Sequence, residues 1–405
     1  MSFRVTNFRP HSETATDRQE RVAWWSQEKL RHAKILVIGA GALGNEVLKN
    51  LALLGVGQIV VVDFDTIELS NLSRTTLFRH ADLGKRKAPV AAARAQELCV
   101  EPNAKITAID GDVVWEVGLG LYRRMDLGLG CLDNVEARLA VNRACMLANK
   151  PFIDGGIRGL AGSVYAFAPP FDCCFNCTTT KRERQAAGGR YDSCFQIIRR
   201  NYSEGRVATV QVTSALIAAL QVEHAIKWLH GRLPRERGFR LQYDGGGMQP
   251  YFDLTPIQRR PGCECGETQP LHEVALLPGS CETTTLEQCL AYLQASGLNE
   301  PVLKFPSSFV PYLFCGECGQ NTALMKPIFR LANAEVQCGH CRKIGARDSL
   351  QLMRLGDSMD LQDESFEAER DALRRMSLHQ LGFPLQPVLF VQDGHGREHY
   401  FEFSE

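Results

Sequence analysis

The 405-residue chain carries no net charge: 46 Lys and Arg balance 46 Asp and Glu. No basic stripe stands out, which argues against a nucleic-acid partner. No apolar run reaches 18 residues, so hydropathy gives no spanning helix and no membrane partner. No basic, apolar leader opens the chain, and Met1 to Gln19 is polar, a stretch expected to be poorly ordered unless a partner holds it. Repeats and low-complexity tracts are missing too, which excludes a solenoid. These absences leave a soluble, cytoplasmic globular protein as the expectation.

What is present is ordinary in bulk and unusual in sulfur. Hydrophobic residues make up 44% and charged residues 23%, typical of a globular chain whose length suggests two domains. Fifteen cysteines are many. Several sit in short pairs, and without an export signal such pairs read as metal-bound thiolates in a reducing cytosol rather than as disulfides.

Along the chain, Lys34–Ile38 is an apolar run ending in glycines and reads as a buried strand. A helix over Gly44–Leu54 and a β-branched strand at Ile59–Val62 follow. The Ala-rich Lys85–Cys99 reads as a helix with Pro89 in its first turn. Ala104–Asp110 and Met125–Cys131 read as strands three and four. This alternation predicts an α/β, doubly wound Rossmann-like sheet. Further strands are expected over Pro151–Pro169, with Asp154-Gly155-Gly156 as a turn. The polar stretch 171–206 reads as a long crossing loop, and Ser214–Leu229 as a core helix. Gly245-Gly246-Gly247 and Pro250 to Pro261 read as the end of this domain. Further on, Glu364–Met376 reads as a charged helix, and Pro387–Val391 and Glu398–Phe403 as strands.

The glycine pattern Gly39-x-Gly41-x-x-Gly44 is by itself a weak sign of a nucleotide-binding βαβ unit. Asp63 closes strand two at the distance expected for a ribose contact, and a dinucleotide dehydrogenase would place an acidic residue there as well. The other polar residues favour a triphosphate. Arg74 and Lys87 put two cations beyond strand two, and Asp133 puts a carboxylate after strand four, where such sheets bind ligands. Phosphates with Mg²⁺ need cations and a hard oxygen ligand.

Arg18-Gln19, the three glycines, Asp63, Asp65, Asn71-Leu72-Ser73-Arg74, Lys87 and Asp133-Asn134 with Arg138 follow one another in an order that resembles the ThiF/MoeB family. That adenylating fold is shared with ubiquitin-activating enzymes, and the resemblance covers about Thr16 to Gly266. It implies ATP as substrate, Asp65, Asn71, Arg74 and Lys87 at the nucleotide and its phosphates, Asn134 beside them, and Asp133 as the Mg²⁺ ligand. It also implies Arg18 reaching into the partner subunit's site, hence a homodimer.

The cysteines sort by spacing. Cys174-x-x-Cys177 stands where the family has its first zinc pair, and Cys263-x-Cys265 where it has its second. The C-x-C spacing departs from the usual C-x₂-C, and Cys173 is a spare candidate ligand. Cys315-x-x-Cys318 and Cys338-x-x-Cys341 form a zinc-ribbon pattern from spacing alone. Cys194, among Arg182, Arg184, Arg190, Arg199 and Arg200, has the setting of an activated thiol; a spare loop cysteine is the plainer reading. Cys99, Cys131, Cys145, Cys281 and Cys289 read as packing residues.

The expectation is therefore an adenylation domain over 1–270, with the crossing loop at 171–206, and a C-terminal α+β domain over 271–405 with a zinc ribbon at 315–341. Its activity would be adenylation of the C-terminal glycine of a ubiquitin-like or sulfur-carrier protein. A thioester on Cys194 and transfer to a ubiquitin-conjugating-enzyme-like partner would follow. Alternatives are sulfur transfer or peptide modification without a thioester, or a scaffold with a degenerate nucleotide site.

Overall fold

The computed structural model describes residues 14–183, 208–232, 237–332, 335–342, 350–352 and 367–404. They fall into two compact units. The first holds the described residues of 14–113, 122–183 and 208–270. The second holds those from Leu271 onward together with Val114–Leu121.

The first unit opens with two short helices, α1 (Asp17–Glu20) and α2 (Gln27–His32). Part of the polar leader is thus ordered. Gln19 Nε2 donates to Gln27 Oε1 at 2.8 Å and to the Leu54 carbonyl at 3.2 Å, and Gln27 Nε2 donates to the same carbonyl at 2.9 Å. Two amides thus satisfy a carbonyl left free at a helix end. Then come β1 (Lys34–Ile38), α3 (Ala42–Leu53), β2 (Gln58–Val62), α4 (Lys87–Glu97), β3 (Lys105–Ile109), α5 (Leu119–Arg124, of which Leu119 to Leu121 count with the second unit), β4 (Leu127–Gly130) and α6 (Val135–Leu147). β1 and β2 are buried on both faces, and continuous apolar runs suit such parallel strands. Pro89 lies in the first turn of α4, where its missing N–H costs nothing. β5 (Phe152–Arg158), β6 (Ala161–Phe167), α7 (Phe175–Thr178), α8 (Gln211–Leu229), β7 (Gly238–Asp244) and β8 (Tyr251–Pro256) complete the unit.

The sheet order is β3-β2-β1-β4-β5-β6-β7-β8. The first five strands are parallel and the rest antiparallel. β1 lies between β2 and β4, so the order reverses there. The crevice beyond the carboxyl ends at that point is where open α/β sheets bind ligands.

The sequence misread one turn. Asp154-Gly155-Gly156 lies inside β5, and the chain reverses at Gly159-Leu160, where Gly159 has a φ of +60°. Gly155 serves packing instead: a Cβ there would lie 2.3 Å from Gln221 Oε1 on α8. The stretch read as the end of the domain contains edge strand β8.

In the second unit, β9 (Ala275–Leu277), α9 (Leu286–Ala295), β10 (Val302–Lys304), α10 (Glu367–Arg375), β14 (Val388–Gln392) and β15 (Glu398–Phe403) form one layer pair. Its four-stranded sheet has the order β10-β14-β15-β9. Leu286, Leu293, Leu373, Leu378, Phe383 and Leu389 fill its core. A separate three-stranded sheet joins β11 (Phe309–Cys315), β12 (Asn321–Pro327) and β13 (Leu350–Leu352) in the order β12-β11-β13.

Candidate active site and two cysteine tetrads

Gly39, just beyond β1, has a φ of +99°, and a Cβ there would sit 2.4 Å from the Cys131 carbonyl. Gly44 is barred from a side chain by the Gly39 carbonyl at 1.9 Å, whereas a Cβ on Gly41 would meet nothing within 4 Å. The turn is thus packed on the protein side and open on the other. Its backbone stays bare where a phosphate can approach, at the start of α3.

Asp63 ties this turn to the loop after β2. Its Oδ2 accepts from the Ala40 N–H at 2.7 Å, and its Oδ1 from the Asp65 N–H at 2.8 Å. Burial raises the Asp63 pKa, and the nearby Lys87 charge works against that rise. Lys87, at the first residue of α4, is held by Asp65 at 2.7 Å. Asn71 is buried and accepts from the Glu68 N–H at 2.9 Å, capping a short 3₁₀ turn. Arg74 donates to the Ser70 carbonyl at 2.8 Å. Asp65, Thr66, Glu68, Ser70, Asn71, Arg74 and Lys87 line one cavity of about 200 Å³. Four residues singled out in the sequence thus share a single pocket.

Asp133 is exposed just past the end of β4, and Asn134 caps α6 by accepting from the Ala137 N–H at 2.8 Å. Arg18 is exposed on α1 and does not line the pocket. Cys194 and the arginines at 184, 190, 199 and 200 lie outside the described residues.

Two groups of four cysteines come together, each with all its sulfurs within 4.8 Å of one another. In the first, Cys174 and Cys263 are 3.7 Å apart, Cys177 and Cys265 3.6 Å, and Cys174 and Cys177 4.0 Å. In the second, Cys315 and Cys341 are 3.7 Å apart, and Cys318 and Cys338 3.6 Å. Four thiolates about 2.3 Å from a tetrahedral zinc lie about 3.8 Å from each other, so both donor sets fit that ion. A 3₁₀ turn at Glu264–Gly266 lets the one-residue spacing bring both sulfurs inward. Cys173 stays out of the tetrad and packs on β7, where a Cβ on Gly238 would lie 2.0 Å from its sulfur. Donation from the Cys174 thiol lowers the Cys177 pKa to about 4. The N–H groups of Cys341 and His340 lower that of Cys338 to about 6. Cys145, Cys281 and Cys289 are buried in apolar surroundings.

Sequence reasoning missed a buried polar cluster behind the site. Asp154 is 0% exposed on β5 and faces Arg138 of α6 at 3.2 Å. Burial lifts its pKa to about 7 against the pull of the Arg138 charge. Arg138 had been singled out beside Asp133-Asn134, but Asp154 was signalled only as an acid followed by two glycines in an apolar stretch.

The ThiF family model matches residues 15–265. The chain belongs to the ThiF family. Among curated relatives, this ThiF-family chain is 31% identical over 261 residues to the sulfur carrier protein adenylyltransferase of Thermus thermophilus, covering 63% of this chain and 90% of that one. It is 39% identical over 161 residues to SUMO-activating enzyme subunit 2 of Dictyostelium discoideum and over 183 residues to the NEDD8-activating enzyme E1 catalytic subunit of Caenorhabditis elegans. Those two alignments take in 40% and 41% of this chain but only 24% and 42% of the relatives, so the chain spans less than half the length of either. Among solved structures, Escherichia coli MccB with ATP superposes with a TM-score of 0.50 at 22% identity, covering 63% of this chain and 74% of that one. That likeness concerns the fold. Among the described residues, no helix is long and apolar enough to cross a membrane.

Proposed function

We propose that this ThiF-family chain is an ATP-dependent adenylyltransferase acting on the C-terminal glycine of a ubiquitin-like or sulfur-carrier protein in the cytosol. The observation that carries the reading is the pocket in which Asp65, Asn71, Arg74 and Lys87 meet beside a glycine turn open at Gly41. The naming of the Thermus relative, of which the chain covers most, supports it. Asp63 is the candidate partner of the ribose. The N–H groups around Gly41, with Arg74 and Lys87, would hold the phosphates, and Asp133 the Mg²⁺, which neutralises phosphate charge when bound. A carboxylate oxygen of the carrier attacks the α-phosphorus. The bond from that phosphorus to the bridging oxygen breaks, and pyrophosphate leaves. Arg74 and Lys87 stabilise the charge that develops.

Arg18 stands outside the pocket of its own chain, which supports a homodimer in which it serves the partner's site. Zinc is the ion assigned to both tetrads. Cys194 is the proposed acceptor of the activated acyl group: its sulfur attacks the acyl carbon and AMP leaves. A conjugating-enzyme-like protein would then receive the acyl group.

ATP–pyrophosphate exchange with and without a small glycine-ended carrier tests the reading. Carrier-dependent exchange is expected, and its absence with every carrier would overturn the assignment. Exchange with a short peptide alone would favour peptide modification. Mixing Arg18→Ala with Asp133→Ala protein should restore partial exchange if Arg18 acts across the dimer. Cys194→Ala should retain exchange while losing the thiol-sensitive carrier adduct.

A further inference from the structure

Behind the proposed Mg²⁺ ligand lies the buried cluster of Asp154, Arg138 and Gln221. Neither Asp154 oxygen takes a hydrogen bond, and Arg138 Nε makes none. The two meet as an ion pair at 3.2 Å with the carboxylate wholly buried. A buried charge held by one partner is costly, so the pair is expected to do something that packing alone would not.

Arg138 provides the connection. Its Nη2 donates to the Leu132 carbonyl at 2.5 Å and to the Gly155 carbonyl at 3.1 Å. Its guanidinium also lies 5.8 Å from the Phe175 ring, inside the Cys174–Cys177 knuckle. One fork thus joins β5, the knuckle and the residue immediately before Asp133. The neighbourhood is shaped around the pair. A Cβ on Gly130 would lie 2.3 Å from Asp154 Oδ1, and Gln221 Nε2 donates to the Gly130 carbonyl at 2.9 Å and to that of Ile153 at 3.2 Å. Gln221 therefore braces the end of β4 from α8.

We propose that Arg138, anchored by the buried Asp154, is the positioning residue that fixes the Leu132–Asn134 turn and thereby the direction of the Asp133 carboxylate. This rests on the reading of Asp133 as the metal ligand. Groups of this kind, one shell behind a metal ligand, commonly change metal affinity by about 10–100-fold. Arg138→Lys keeps a charge for Asp154 but lacks the planar group whose Nε faces Asp154 while its Nη2 reaches the two carbonyls.

The test measures binding of Mn²⁺ in the presence of ATP by electron paramagnetic resonance, and binding of metal-free ATP by calorimetry, on full-length protein. Asp154→Asn and Arg138→Lys should each weaken Mn²⁺ binding about tenfold and leave metal-free ATP binding unchanged. A merely structural role would lower the melting temperature and weaken both ligands together. If Asp154→Asn does not fold, Arg138→Lys carries the test, because its side chain is only partly buried. Unchanged Mn²⁺ affinity in a folded variant, beside a wild type that binds, would overturn this proposal alone. A wild type that binds no Mn²⁺ with ATP would overturn the functional reading and this inference with it.

Discussion

The eight-stranded sheet of the first unit and the three-stranded ribbon of the second each carry a cysteine tetrad, but they stand on different foundations. Around the large sheet, Ile35, Val37, Leu48, Leu51, Ile59, Val61, Leu127 and Ile217 belong to one continuous apolar core. Its tetrad, with Met146, is a satellite cluster beside that core. Among the described residues of the ribbon, Leu313 packs directly with Cys315 and Cys338, a second small cluster gathers Val310, Ile328 and Leu331, and Phe309 joins the core of the four-stranded layer with Tyr312 and Met325 against it. The same donor set can therefore be an accessory to one sheet and a larger share of what orders another. A zinc tetrad supplies about 10–16 kcal/mol of binding to folding, and that exceeds what so small an apolar cluster provides.

The sharpest way to break this comparison is to remove one ligand from each tetrad. Cys338→Ser should forfeit most of that binding energy, about 10 kcal/mol. Amide-exchange protection should vanish over Phe309–Cys315 and Asn321–Pro327 while β1, β2 and β4 stay protected. Cys177→Ser should also cost one zinc by elemental analysis, yet leave the large sheet protected. Equal loss of protection in both units would end the distinction.

The second test stays within the first unit. Asp154 takes up its proton more readily when folded than when unfolded, because burial raises its pKa to about 7. Its contribution to stability is therefore fully present below pH 4 and is lost as pH rises through 7. A rise of about three units corresponds to about 4 kcal/mol. Asp154→Asn cannot ionise, so urea unfolding should show the variant gaining on wild type between pH 5 and 8. A difference that stays flat across that range would contradict the assignment.

Third, the proposed nucleotide pocket is expected to add little stability to the sheet that supports it. Lys87→Ala should lower pyrophosphate exchange by about 10²–10³-fold, as expected for removal of one charge-stabilising donor. Melting should move little, since Lys87 is mostly covered but its partner Asp65 is half exposed, and a pair open to water on one side is worth about 1 kcal/mol. A large fall in melting temperature would make Lys87 a structural residue. The smallest effect belongs to the leader. Gln19→Ala removes a hydrogen bond to the Leu54 carbonyl and should cost about 1 kcal/mol in urea unfolding. No change would show that the leader is not anchored there.

Sequence alone determined what depends on neighbours along the chain. β1 and β2 were legible because buried parallel strands are continuous apolar runs. The glycine turn was legible because only glycine tolerates the Gly39 backbone and the close contact at Gly44. The ribbon tetrad was legible because its two C-x₂-C pairs are separated by only a short stretch of chain. Tertiary structure decided the rest. Gly155 looked like a turn residue because its constraint, Gln221, comes from a helix 66 positions later. β8 was hidden because its residues are largely exposed and carry no clear alternation, and β9 and β10 because three residues are too few to show a period. Asp154 read as a turn acid until folding enclosed it against Arg138. Spacing reports contacts that sequence distance constrains, whereas burial and the charge it strands are set by elements that meet only when the sheet closes over them.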